Sequence, residues 1–203
     1  MSQSEMVKSN NLAVIVLAAG ISKRLGSCKQ LVNYNGETLL RGTVKKALEI
    51  SNDVYVVLGY KKDVCEKELK NLDVTTVFNE NYKKGMGTSI SCGIKVTQKF
   101  KNSMILLCDQ PFMPVSHLKK LCEKIDNNHI ISSLSSKGLK KTVPAIFPRA
   151  FYDSLIKLDK DFGAKYLLKN EKSVDILLEE EFSLDIDTKE DKEKLLKDNL
   201  IVQ

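Results

Sequence analysis

The chain has 203 residues, 42% of them hydrophobic and 29% charged, a balance that suits a globular fold and excludes a disordered polyelectrolyte. Its net charge of +6 comes from lysines and arginines scattered along the whole length, and tryptophan is absent, so no nucleic-acid surface is expected. The longest nearly apolar run, Leu12 to Ala19, falls well short of the roughly 20 residues that span a bilayer, so no membrane segment is expected.

Residues 1–11 are polar, lack the apolar centre of a secretory signal and read as a flexible leader. Five widely separated cysteines, with no CxxC and no paired histidines, argue against a disulfide framework or structural zinc and for a reducing, cytoplasmic setting. No Pro/Gly/Ser linker interrupts residues 12–203, which read as one domain.

Short aliphatic runs predict strands at Leu12–Ala18, Val54–Gly59, Val74–Phe78 and Ser103–Cys108. They alternate with helical stretches at Thr38–Ile50, Lys61–Asn71, Thr88–Lys99 and Val115–Asn127. Strands follow at Ile130–Leu134 and Thr142–Phe147, then helices near Arg149–Leu158 and Gly163–Asn170. Val174–Leu178 and Phe182–Ile186 are expected as final strands, and Thr188–Asp198 as a closing helix capped by Thr188. The alternation predicts an α/β fold of three layers, α/β/α, with a mostly parallel Rossmann-like sheet and a small β-rich C-terminal part.

In open parallel sheets ligands bind beyond the carboxyl ends of the strands, which selects the segments after Ala18, Phe78 and Cys108. Small residues at Ala18, Ala19 and Gly20 let backbone amides approach a ligand, while Arg24 and Lys29 offer cations to phosphate oxygens. The spacing fits neither the Walker loop nor GxGxxG. Asp109 can hold a hard, octahedral cation such as magnesium, since Pro111 and Pro114 make it an awkward helix cap. Asp185 and Asp187 alternate and would share one face of a strand. Gly85 and Gly87 precede a helix carrying Ser89, whose amides suit an anion. His117 and His129 read as surface or capping residues, and Cys28 as loop packing.

LAAGISKRLGSCKQL resembles the LAAGxSxRxGxxK signature of nucleotidyltransferases with a MobA-like NTP transferase domain. FNENYKKGMGTSISCGI, LLCDQPFM, VPAIF, KDFGAKYLL and DIDTKED follow in the family's order, so the resemblance covers about Leu12 to Leu196. LAAG rather than LAGG, the short spacing from Gly26 to Lys29, and GMGTSISCG are most similar to the molybdenum cofactor cytidylyltransferase family. The resemblance implies transfer of CMP from CTP to a molybdopterin-type acceptor, for delivery to a molybdenum hydroxylase apoenzyme. It implies nucleotide contacts from Leu17, Ala18, Ala19, Gly20, Ser22, Gly87 and Ser89, catalytic cations at Arg24 and Lys29, and magnesium (or manganese) at Asp109, Asp185 and Asp187. Lys165 stands where relatives carry arginine, which exchanges a bidentate fork for a point charge on the acceptor side. A sugar or polyol phosphate acceptor and a non-catalytic cofactor carrier remain as rival readings.

Overall fold

The apolar heptapeptide LAVIVLA forms β1 (Leu12–Ala18), buried throughout because it takes the centre of a sheet covered on both faces. This computed structural model describes residues 11–160 and 163–201. Residues 1–10 of the expected flexible leader at 1–11, and Asp161 and Phe162 of KDFGAK, lie outside the described residues.

β1 pairs in parallel with β4 (Val54–Leu58) and β6 (Asn102–Leu107), and β4 pairs in parallel with β5 (Thr75–Phe78). The crossovers between them carry α1 (Leu39–Leu48), α2 (Lys62–Glu68) and α3 (Met86–Val96). After α4 (Val115–Glu123) come β7 (Ile130–Ser135) and β8 (Lys140–Pro148), then the short helices α5 (Tyr152–Ile156) and α6 (Lys165–Asn170). β9 (Ser173–Leu178) and α7 (Lys189–Ile201) complete the chain. The seven strands lie in the order β5-β4-β1-β6-β8-β7-β9, with β8 antiparallel to both neighbours. The β-rich C-terminal part is therefore one end of the same sheet.

Side-chain alternation along β1 divides the core. Val14 and Val16 join Leu40, Val44, Cys65, Leu118 and Leu121 from α1, α2 and α4 on one face. Ile15 and Leu17 meet Ile90, Ile94, Leu155 and Leu168 from α3, α5 and α6 on the other. Gly93 allows the close approach of α3, since a Cβ there would lie 2.6 Å from Ile15 Cγ2 and 3.2 Å from Val57 Cγ2.

Two local features depart from the expected elements. β2 (Asn33–Tyr34) and β3 (Glu37–Thr38) form a small hairpin around Asn35-Gly36, both at positive φ, a turn that the Asn-Gly dipeptide favours. Thr38 then caps α1 through Arg41 N. The predicted strand at Phe182–Ile186 does not form; the chain makes a 3₁₀ turn at Glu180–Ser183 and continues irregularly. Phe182 and Ile186 pack into different apolar clusters, and the sheet already ends at β9.

Candidate active site

A cleft of about 670 Å³ opens at the carboxyl ends of β1 and β6, a volume suited to a small-molecule ligand. Leu17, Ala18, Ala19, Gly20, Ser22, Arg24 and Lys29 line it. Asp109, Asp185 and Asp187 line it too, with Asp109 and Asp187 directly beside Lys29. Residues more than 150 positions apart in the chain thus converge on one centre, as Lys29 and Asp187 do with a separation of 158.

At that centre the Lys29 ammonium bridges two carboxylates, 2.7 Å from Asp109 Oδ2 and 2.6 Å from Asp187 Oδ1. Arg24 adds a second cation to Asp187 at 2.8 Å. Burial works against the charged form of Lys29, but Asp109 and Asp187 outweigh it and hold its pKa above the usual lysine range. Burial likewise disfavours ionised Asp187, yet Lys29 and Arg24 together pull its pKa below the ordinary value. Asp185 lies at the exposed rim of the cleft, yet loss of water around its carboxyl and then the nearby Asp109 charge push it up to about 6. It accepts a hydrogen bond from Gln110 Nε2 at 2.9 Å.

Asp109 Oδ1 is buried and has no hydrogen-bond partner among the described residues, although Oδ2 faces Lys29. An anionic oxygen so placed calls for a cation, and Asp109 and Asp187 are hard oxygen donors of the kind magnesium takes. Asp109, Asp185 and Asp187 do not make one ligand set, however. Among the described residues no group of three or more His, Cys, Asp or Glu side chains is arranged to hold an ion by itself. Magnesium tolerates this, since it commonly uses one or two carboxylates plus substrate phosphates and waters.

The loop between β1 and Lys29 owes its course to a residue that the motif search passed over. Gln30 is 1% exposed, and its Nε2 donates to Ala18 O at 2.9 Å and to Gly20 O at 2.8 Å. Its Oε1 accepts from Cys28 Sγ at 3.0 Å, so Cys28 is indeed part of the loop's packing. Ser22 takes a left-handed conformation, φ 57°, and its Oγ accepts from Lys29 N. Asn79, also missed, ties the start of α3 by donating to Thr88 Oγ1 and Ser89 Oγ. Gln110 is the third omission, cleft-lining and 5% exposed.

Gly87 lies within helix α3, which starts at Met86 rather than after it; its amide donates to Lys160 O at 2.9 Å, and its neighbours Gly85, Met86 and Ser89 line the cleft. The shared strand face for Asp185 and Asp187 is replaced by irregular backbone anchored through Ile186 N to Asp109 O, which still brings both carboxylates to the cleft. His117 is buried against Ser133 Oγ at 2.8 Å rather than lying at the surface. Thr188 caps α7 as expected, accepting from Asp191 N while the Asp191 carboxylate accepts from Thr188 N.

A mostly parallel sheet with a small-residue loop, cations and acids gathered at its carboxyl edge is an α/β nucleotidyltransferase fold. More narrowly, the chain belongs to the family described as MobA-like NTP transferase domain, which matches residues 14–175. It is 25% identical over 108 residues to the molybdenum cofactor cytidylyltransferase of Escherichia coli K12, covering 53% of this chain and 56% of that protein. It is 30% identical over 118 residues to the bifunctional protein GlmU of Campylobacter fetus, covering 56% of this chain and 27% of that protein. The matches thus span about a quarter to just over half of these curated relatives' lengths. The crystal structure of Rv0371c from Mycobacterium tuberculosis superposes with a TM-score of 0.81 at 24% identity, over 92% of this chain and 98% of that one, and Rv0371c has also been solved in complex with manganese.

Proposed function

We propose that this chain transfers CMP from CTP to molybdenum-loaded molybdopterin, releasing pyrophosphate, and so serves the maturation of a molybdenum hydroxylase. The observation that carries the transferase chemistry is the meeting of Lys29 with Asp109, whose second carboxylate oxygen is buried without a partner, at the mouth of the small-residue loop. The similarity to the cytidylyltransferase of Escherichia coli and the LAAG and GMGTSISCG motifs support CTP as the donor.

In this reading Leu17 to Gly20 and Ser22 hold base, ribose and phosphates, and Arg24 neutralises the outer phosphates. Lys29 exchanges its carboxylate partners for the α-phosphate oxygens. An acceptor phosphate oxygen attacks the α-phosphorus in line, a new P–O bond forms, and the bond to the departing pyrophosphate breaks. Magnesium held by Asp109 and Asp187 would supply charge neutralisation across the phosphates. The protein chiefly positions and neutralises, and a single preorganised contact to developing charge is worth about 2.7–4 kcal/mol of barrier.

Thr142, Val143, Ala164, Lys165 and Leu168 line the opposite part of the cleft. This wall is largely apolar, with a hydroxyl and an ammonium at its edge. The test is pyrophosphate release with CTP, GTP, UTP or ATP in the presence of molybdenum-loaded molybdopterin, with Asp109→Ala as control. Release with CTP alone, lost in the variant, is the expected result. Release only with a sugar or polyol phosphate overturns the acceptor, and binding without any release makes the chain a carrier.

A further inference from the structure

Gln30 is fully spent inside the protein, which is unusual for a residue at the wall of a ligand cleft. Both hydrogens of its carboxamide nitrogen are engaged, one by Ala18 O and one by Gly20 O, and its oxygen receives the Cys28 thiol. The intervening carbonyl, Ala19 O, is taken from the other side by Tyr60 N at 3.1 Å. Three consecutive carbonyls are therefore fixed by partners within the fold.

The peptide unit is planar and trans, so each N–H points opposite to the carbonyl of the preceding residue. Fixing Ala18 O, Ala19 O and Gly20 O consequently fixes the directions of the Ala19, Gly20 and Ile21 amides. Among the described residues those amides have no protein acceptor, and all three residues line the cleft. A loop of small residues has little side-chain packing of its own to hold such an arrangement, and without anchors it would sample many backbone states.

We propose that Gln30 is the positioning residue of the phosphate loop, holding the Ala19 and Ile21 amides in place for the polyphosphate of the nucleotide. This inference rests on the nucleotide-binding half of the proposed function. Gln30 touches no reacting atom; it acts through the backbone it orients. Its length matters, because asparagine would stop short of the two carbonyls. Its chemistry matters as well, because glutamate would set a carboxylate against two carbonyl oxygens.

The test compares wild type with Gln30→Met, which keeps the volume and removes the donors. Affinities for CTP, CDP and CMP are measured by calorimetry with magnesium present, alongside the melting temperature. Because small misplacements in preorganised sites cost up to about a hundredfold, CTP affinity should fall by about 10- to 100-fold, CDP by less and CMP least. A general loosening of the fold would weaken all three alike, and that outcome, or undiminished CTP affinity, overturns the proposal. A second measurement uses wild type alone and stands even if the variant does not fold. The two side-chain amide protons of Gln30, followed by ¹⁵N NMR in the nucleotide-free protein, should exchange slowly with water. Exchange as fast as in a solvent-exposed glutamine overturns the proposed anchoring. If wild type binds none of the nucleotides, the proposed function fails, while slow exchange would still establish Gln30 as the loop's anchor without a nucleotide role.

Discussion

Replacing Lys29 with alanine removes the cation that separates Asp109 from Asp187. The Lys29 side chain is 12% exposed and that of Asp109 16%, so Asp109 cannot simply turn to bulk water. Breaking a buried pair by deleting one member costs about 3–5 kcal/mol, because the surviving charge stays desolvated. Asp187 is 35% exposed and still holds Arg24, which relieves part of this and favours the lower end, about 3 kcal/mol. At about 2–4 °C per kcal/mol for a chain of this size, the melting temperature should fall by about 6–12 °C. Millimolar magnesium should then restore much of the loss, since a divalent ion can replace the ammonium between the two acids, while affecting wild type far less. Differential scanning fluorimetry with and without magnesium measures both effects. Catalysis stays lost in either condition. A variant as stable as wild type, or one indifferent to magnesium, would refute the view that Lys29 occupies the electrostatic position of a cation site.

Arg24→Ala should leave stability within about 0.5 kcal/mol, because the side chain is 72% exposed, but should raise the KM for nucleotide more than it lowers kcat; steady-state kinetics separates the two. Gly93→Ala should cost about 1–3 kcal/mol through overpacking against Ile15 and Val57, read as a lower urea midpoint. His117 is held neutral by burial, with Lys120 adding to the effect, and its pKa falls from 6.5 to about 4. The unfolded chain therefore takes up a proton that the fold refuses, and His117's contribution to stability, complete above pH 6.5, drains away as pH drops toward 4. Replacing His117 with glutamine should flatten the acid limb of the melting temperature against pH.

How much of this was legible beforehand depended on where each residue's partners lie. β1 could be read directly, since seven consecutive apolar residues leave few alternatives to a central strand. Arg24, Lys29 and Asp109 were legible through charge and motif, and the cleft brings them together. Gln30 was not, because its bonds reach carbonyls 10 and 12 positions back and exist only once the loop has turned. The bond from the Gly87 amide to Lys160 was equally hidden, because Lys160 lies on a segment the helix pattern does not involve. FSLDI alternates like a strand, but alternation describes only which side chains want burial, and here Phe182 and Ile186 find separate apolar partners without joining the sheet.

Leu25 of the loop after β1 packs with Leu195 of α7 and Ile186, and Arg24 meets Asp187 across 163 positions of chain. This loop therefore leaves the ribosome well before the residues that complete it. At about 5–20 residues per second, it waits roughly 8–30 s of synthesis for its C-terminal partner. During that interval the sheet can assemble while the cations at Arg24 and Lys29 still lack Asp187. Acquisition of the fold and acquisition of the assembled site are thus separate events in the life of each molecule, and the second is timed by the arrival of α7.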